Sequence, residues 1–300
     1  MTVAGVPAVA AKAGRPLLGG RRLSLDWVGT LPFFVYVLLF LLLPSGIVAF
    51  GAFFDANNTF TLDNLAHLSR TYVIKATIDT IGISAVTAVV GAALGALLAY
   101  AIVTGRPDSI LRRLVVSASG VLAQFGGVTL AFAFIASVGS EGFVYLFFKS
   151  HGLDWYANGI WLFQIPGLVL TYLYFQIPLM VLVFLPALDG IKPQWREATE
   201  SLGGSTWHYW RYVAGPILFP AFLGATLLLF ANSFSAYATA NALINQGGPV
   251  LAQQIAGALS SEVGAVEPGF AKAIAVEMIV IVTLVTVLYS LLQRRTARWL

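Results

Sequence analysis

Apolar residues run through this chain in long, unbroken stretches set apart by short polar segments. A helix that crosses a bilayer takes about 20 mostly apolar residues, and six stretches are long enough: 31–53, 77–103, 114–138, a stretch within 160–188, 217–241 and 271–292. The fifth lies inside 212–261, which holds no charged residue, and the sixth carries Glu277. None shows the apolar–polar alternation of a membrane β-strand. The pattern predicts an all-α integral membrane protein with six spans.

Composition supports the bilayer as solvent. Apolar residues make up 58% and charged residues 10% of the 300 positions, against roughly 45–50% and 25% in soluble chains. So few charges cannot cover a soluble fold of this length, and so much apolar surface excludes disorder. The chain has no cysteine, which removes disulfides, thiolate metal sites and cysteine nucleophiles. Its three histidines, His67, His151 and His208, are too far apart for a local metal motif.

The distribution of charge orients the spans. Six spans put both termini on one side. That side holds Lys12, Arg15, Arg21 and Arg22, then Arg106, Arg112 and Arg113, then Lys192, Arg196 and Arg211, and finally Arg294, Arg295 and Arg298. The other side holds Arg70, Lys75, Lys149 and Lys272. Thirteen basic residues against four place both termini in the cytoplasm by the positive-inside rule. Residues 1–26 then read as a cytoplasmic tail, 27–295 as the transmembrane domain and 296–300 as a second tail. A cleaved signal peptide does not fit, because the early basic residues follow the weak apolar stretch. The basic excess is a topology signal and gives no reason to expect nucleic acid as a partner.

One cytoplasmic connection is too structured to be a simple link. Residues 189–216 read DGIKPQWREATESLGGSTWHYWRYVAGP. Pro193 and the Gly203–Gly204 pair divide it into two short helices, about 194–202 and 205–212. Trp195, Ala198 and Leu202 share one face of the first, and Ser205 is an N-cap candidate for the second. Composition leaves two readings open: amphipathic helices lying at the membrane interface, or a knob that docks a protein.

The spacing in this loop resembles the EAA loop of permease subunits of binding-protein-dependent ABC importers. That pattern is EAA, three residues, G, nine residues, then I-x-L-P. Glu197, Ala198, Gly203 and Pro216 match it position by position, while Thr199, Val213 and Gly215 depart from it. The resemblance covers about 27–295 and includes FTLDN at 60–64 and FQIPL at 175–179. The stretch NSFSAYATANAL at 232–243 is most similar to the subgroup for spermidine/putrescine, iron(III), sulfate or phosphonate-type solutes. The resemblance implies a type I importer: two permease subunits, the second a different one, two ATP-binding cassette subunits that bind ATP and Mg, and an extracytoplasmic solute-binding protein. It makes the loop the coupling helix that seats in an ATPase cleft, with Glu197, Ala198, Gly203 and Pro216 as coupling positions. It implies a polyamine-like solute, with sugar, iron(III) or phosphonate as alternatives.

The chain itself carries no enzyme signature. No Walker A loop, GxSxG elbow or HExxH pair occurs, so no cofactor is expected here and ATP hydrolysis is assigned to a partner. An ATP-independent secondary transporter is the competing transport reading, although such proteins more typically have 10–12 spans with repeat symmetry. A membrane assembly subunit that transports nothing is the third.

Several polar residues fall at bilayer depth: Gln124 in span three, Tyr172, Tyr174 and Gln176 in span four, Asn232, Ser233, Ser235 and Tyr237 in span five, and Glu277 in span six. Each either bonds a neighbouring helix or lines a solute pathway. Asp79, at the outer start of span two, reads as interfacial. The Gly91-xxx-Gly95 pair reads as close helix packing. The outer loop at about 245–270 is a candidate surface for the solute-binding protein.

Overall fold

The computed structural model describes residues 26–296 apart from 56, 107–108, 158, 245–247 and 261–265. Both predicted terminal tails therefore lie almost entirely outside the described residues. Regular structure among the described residues is helical, with one isolated bridge between Phe54 and Phe60 and no strand. The helices are α1 Asp26–Val37, α2 Leu43–Gly51, α3 Asp63–Ala66, α4 Thr71–Val103, α5 Ile110–Gln124, α6 Gly127–Val138 and α7 Phe143–Ser150. After these come α8 Ile165–Asp189, α9 Pro193–Ser201, α10 Thr206–Tyr209, α11 Gly215–Phe234, α12 Ala238–Leu243, α13 Leu251–Leu259 and α14 Pro268–Thr296.

Six stretches are long and apolar enough to cross a membrane: Gly29–Gly51, Thr71–Val103, Gly127–Ser150, Ile165–Asp189, Thr206–Phe234 and Pro268–Gln293. The chain divides into a unit ending at Ile47 and a unit beginning at Val48. The first unit holds α1, a π-turn at Leu38–Leu42 and the start of α2, with no buried side chain described. The second unit holds the packed bundle of spans two to six.

Span two, α4, is the centre of that bundle. It packs along α8 and α11. Its 33 residues rise about 50 Å, more than the roughly 30 Å hydrocarbon layer, so its ends stand outside the layer. Small residues let α8 approach it. A Cβ on Gly95 would lie 2.5 Å from Met180 Cβ and 2.6 Å from the Ile177 carbonyl, and one on Gly91 would lie 2.9 Å from Gln176 Cβ. The glycine pair thus sets the distance between spans two and four.

At the end of the bundle opposite the 189–216 loop, Arg70, the N-cap of α4, lies 3.1 Å from Glu267 Oε2 just before α14. Its guanidinium also sits 4.9 Å over the Phe270 ring. At the same end the Tyr145 hydroxyl donates to Asp154 Oδ1 at 2.9 Å, and this bond holds the Asp154 carboxyl below the usual carboxylate range.

Two spans differ from the sequence expectation. Span three, expected as one helix over 114–138, is broken between α5 and α6 at Phe125–Gly126, and the apolar stretch that begins after the break runs through α6 and α7 to Ser150. Gly127 has φ +71°, a backbone conformation that favours glycine. Span five, expected over 217–241, ends at Phe234 and resumes as α12 after Ser235–Tyr237. The second loop helix also differs. It does not stop before span five but passes from α10 through a π-turn at Trp210–Ala214 directly into α11.

Replacing Gly95 with Val forces a side chain onto the α8 backbone. The variant should lose about 1–3 kcal/mol of stability and melt at lower temperature in detergent. Gly82→Ala, where nothing lies within 4 Å of the added Cβ, is the control and should melt no lower than the parent does.

Candidate transport cavity and coupling loop

The breaks in spans three and five face each other, since α6 packs against α12. Between them lies a cavity of about 360 Å³, lined among others by Gln124, Gly127, Phe175, Asn232, Ser235 and Tyr237. Tyr172, which reaches one of these breaks, lies seven residues into α8, about 10 Å from its start. The cavity therefore sits toward the end of the bundle opposite the 189–216 loop.

A helix break inside a bilayer leaves backbone groups without helical partners, and these must be paired by other protein groups or by water in a cavity. Here side chains supply much of the pairing. The Tyr172 hydroxyl donates to the Ala236 carbonyl at 2.9 Å, and the Thr239 hydroxyl donates to the Gly127 carbonyl at 3.2 Å. The Thr129 hydroxyl donates to the Gly126 carbonyl at 3.1 Å. Each span thus lends a hydroxyl or a carbonyl to the opposite break or to its own.

The polar residues picked out in the sequence separate into two groups. Gln124, Asn232 and Tyr237, together with Ser235, are exposed on the cavity wall. Tyr172, Gln176 and Ser233 are buried inside the bundle. The Gln176 amide donates from Nε2 to the Leu229 carbonyl at 2.8 Å, tying span four to span five. Ser233 Oγ lies 2.9 Å from Thr87 Oγ1, tying span five to span two. Tyr174 is half-buried against the rings of Phe125 and Phe134 on span three. Glu277 is half-buried, and Thr77 donates to its Oε1 at 2.7 Å, tying span six to span two. Asp79 faces a second cavity of about 650 Å³ with Tyr72 and Lys75, at the end of α4 far from the 189–216 loop. The sequence reading missed the break itself. Its signal was the Gly126–Gly127 doublet directly after Phe125.

The 189–216 loop folds as two short helices around a tight reversal. α9 ends in a Schellman arrangement: the Gly203 N–H donates to the Glu200 carbonyl and the Gly204 N–H to the Thr199 carbonyl, each at 2.9 Å. Gly203 has φ +76°, so the closing position needs glycine or a residue that tolerates the left-handed region. A Cβ there would meet nothing within 4 Å. The close approach of backbones falls instead at Gly204, whose Cβ would lie 2.7 Å from Thr199 Cγ2. The Ser205 amide donates to His208 Nδ1 at 3.2 Å at the start of α10.

Glu197, Ala198, Gly203 and Pro216 are all exposed. Glu197 does not cap the first of the two helices. The N-cap is Lys192, without a side-chain cap bond, and Glu197 lies a full turn further on. Leu202 is 89% and Trp207 67% exposed, so apolar side chains flank the turn with no cover from the described residues. Trp210, by contrast, packs edge-on against Tyr100 of α4 at 5.3 Å between ring centres.

Tyr172→Phe leaves the Ala236 carbonyl without its donor. The variant should lose about 0.6–2 kcal/mol, seen as a lower midpoint in detergent unfolding. Removing the Tyr237 hydroxyl in the same way, on the cavity wall, should leave the midpoint unchanged.

Residues 91–298 match the family described as binding-protein-dependent transport system inner membrane component. The thiamine transport system permease protein ThiP of Escherichia coli is 28% identical over 118 residues, 39% of this chain and 21% of its own. The molybdenum transport system permease protein ModB of the same organism is 26% identical over 110 residues, 37% of this chain and 46% of its own. The chain thus spans about a fifth of the one relative and just under half of the other. Among solved structures, a chain of a bacterial ABC transporter involved in the import of the acidic polysaccharide alginate superposes with a TM-score of 0.71. It is 18% identical, and the superposition covers 90% of this chain and 95% of that one. With the helical bundle, six apolar spans and a family match over most of its length, this chain belongs to the binding-protein-dependent transport system inner membrane components, as a multi-pass protein of the cytoplasmic membrane.

Proposed function

We propose that the chain is the permease subunit of an ATP-driven ABC importer and works by alternating access. The observation that carries this reading is the path from loop to cavity. The exposed α9 turn at Gly203 lies at one end of the bundle. α5 and α11 both start at that end, and both stop at the polar cavity. A partner that moves the loop therefore acts on helices whose far ends form the cavity wall.

In this reading both termini and the 189–216 loop are cytoplasmic, as the charge bias directs. Two ATP-binding cassette subunits bind ATP and Mg and receive Ala198, Leu202 and Trp207 in a cleft, with Glu197 and Gly203 at the contact and Pro216 opening span five. A second permease subunit, different from this one, completes the pathway. An extracytoplasmic binding protein delivers the solute. Gln124, Asn232, Ser235 and Tyr237 form the solute-facing wall. Tyr172, Gln176 and Ser233 hold the bundle in register, Tyr174 backs span three, and Glu277 braces span six.

The cavity wall offers amides and hydroxyls, which suits a small polar solute. The resemblance of the span-five stretch favours a polyamine-like one, whose ammonium groups would take the amide and hydroxyl oxygens. Sugar, iron(III) and phosphonate are the alternatives within the same scaffold.

Affinity purification from the native membrane should recover an ATP-binding cassette subunit with the chain. Gly203→Asp tolerates the turn but puts a charged side chain on the docking surface. The variant should insert normally, and hydrolysis in its complex should no longer drive uptake in proteoliposomes. Recovery without any nucleotide-binding subunit, or normal uptake by the variant, contradicts the reading.

A further inference from the structure

The cytoplasmic loop is joined to the two broken spans by different means. To span five the joint is covalent and helical, because α10, the Trp210–Ala214 turn and α11 form one continuous rod. To span three the loop has no backbone continuity. The joint there is made by side chains: α5 packs along α8, and at the loop end of that packing stands an ion pair. Arg112 NH2 lies 2.6 Å from Asp189 Oδ2.

The placement of the pair is specific. Arg112 stands in the first turn of α5, where the Ser109 Oγ accepts its backbone N–H at 3.2 Å. Asp189 is the last residue of α8, and only Gly190, Ile191 and Lys192 separate it from α9. Those three residues are not slack. The Gly190 and Ile191 N–H groups donate to the Pro186 and Leu188 carbonyls, and Ile191 packs against the core. A cation at a helix start and a carboxylate at a helix end each oppose the helix dipole. Neither charge therefore serves its own helix. The positive-inside preference accounts for an arginine at this depth but not for the carboxylate it grips.

We propose that the Arg112–Asp189 pair is the transmission link by which movement of the coupling loop reaches span three and so the Gln124 side of the cavity. This rests on the reading of the loop as the ATPase docking site. Arg112 and Asp189 are positioning residues: they touch neither solute nor nucleotide. α5 carries the displacement from Arg112 near one end to Gln124 at the break, about 18 Å. Span five receives the same displacement through its backbone, whatever happens to the pair. Breaking the pair should therefore disconnect one wall of the cavity and leave the other connected.

The chain contains no cysteine, so a single reporter thiol needs no background removal from this subunit, and its labelling is read on this subunit's band. The test places Gln124→Cys or Asn232→Cys in the full complex and measures the labelling rate by a charged maleimide, with and without ATP and Mg. With the pair intact, ATP should change the rate at both positions by at least five-fold. With Arg112→Gln or Asp189→Asn the response at 124 should fall below two-fold, while that at 232 persists. Exchanging the charges, Arg112→Asp with Asp189→Arg, should restore the response at 124. The exchanged pair is favoured by both helix dipoles, so folding is not at risk. A response at 124 that survives loss of the pair, a loss at both positions alike, or no rescue by the exchange overturns the link alone. Absence of any ATP response in the intact complex overturns the permease reading, and the link falls with it.

Discussion

Backbone polar groups cannot go unpaired in a bilayer, and the architecture of this protein follows from how that requirement is met at two helix breaks. Span three stops at Phe125–Gly126 and span five at Ser235–Tyr237. Either break alone would expose carbonyls to hydrocarbon at a cost of several kcal/mol each. Facing one another, they share the burden. Thr239 of α12 serves Gly127 at the start of α6, and Tyr172 of span four serves Ala236. What remains unpaired by protein opens onto a cavity lined with amides and hydroxyls. Irregular backbone at membrane depth and a polar cavity are one feature seen from two sides.

The rest of the bundle holds the breaks opposite each other. Gly91 and Gly95 bring span four against span two. That closeness lets Gln176 reach the Leu229 carbonyl and Ser233 meet Thr87. These three spans form a tied core, and span six is pinned to it through Glu277 and Thr77. The loop is attached differently. Its Gly203 turn is bare, and its exits run into span five as a continuous helix and into span three through Arg112–Asp189. Span five thus belongs to the tied core and also continues the loop, while span three meets the loop end through side chains, so the loop is connected to both sides of the cavity.

Much of this was legible in the sequence. Six spans were visible because long apolar runs need no partner to be recognised, and the loop stood out because it concentrates scarce charges. The need for glycine at 203 was readable too, since a turn between two helical patterns calls for a positive φ. The breaks were not read, because hydropathy windows of about 19 residues average over Gly126–Gly127 and Ser235. The two readings of each polar residue could not be separated along the chain. Gln176 and Tyr172 turn inward and Asn232 and Tyr237 turn to the cavity only because of how α8 and α11 are rotated by their neighbours. Glu277 was ambiguous for the same reason: its partner, Thr77, lies 200 positions away.

In the proposed reading the wall at the two breaks is a water-filled part of the pathway, while the neighbouring polar residues are structural. Single-cysteine accessibility to a membrane-impermeant charged thiol reagent tests this directly, in a chain that has no cysteine of its own. Asn232→Cys and Tyr237→Cys should react at least ten times faster than Gln176→Cys and Ser233→Cys in the assembled complex. Equal rates at the four positions, or faster reaction at 176 and 233, would contradict the account.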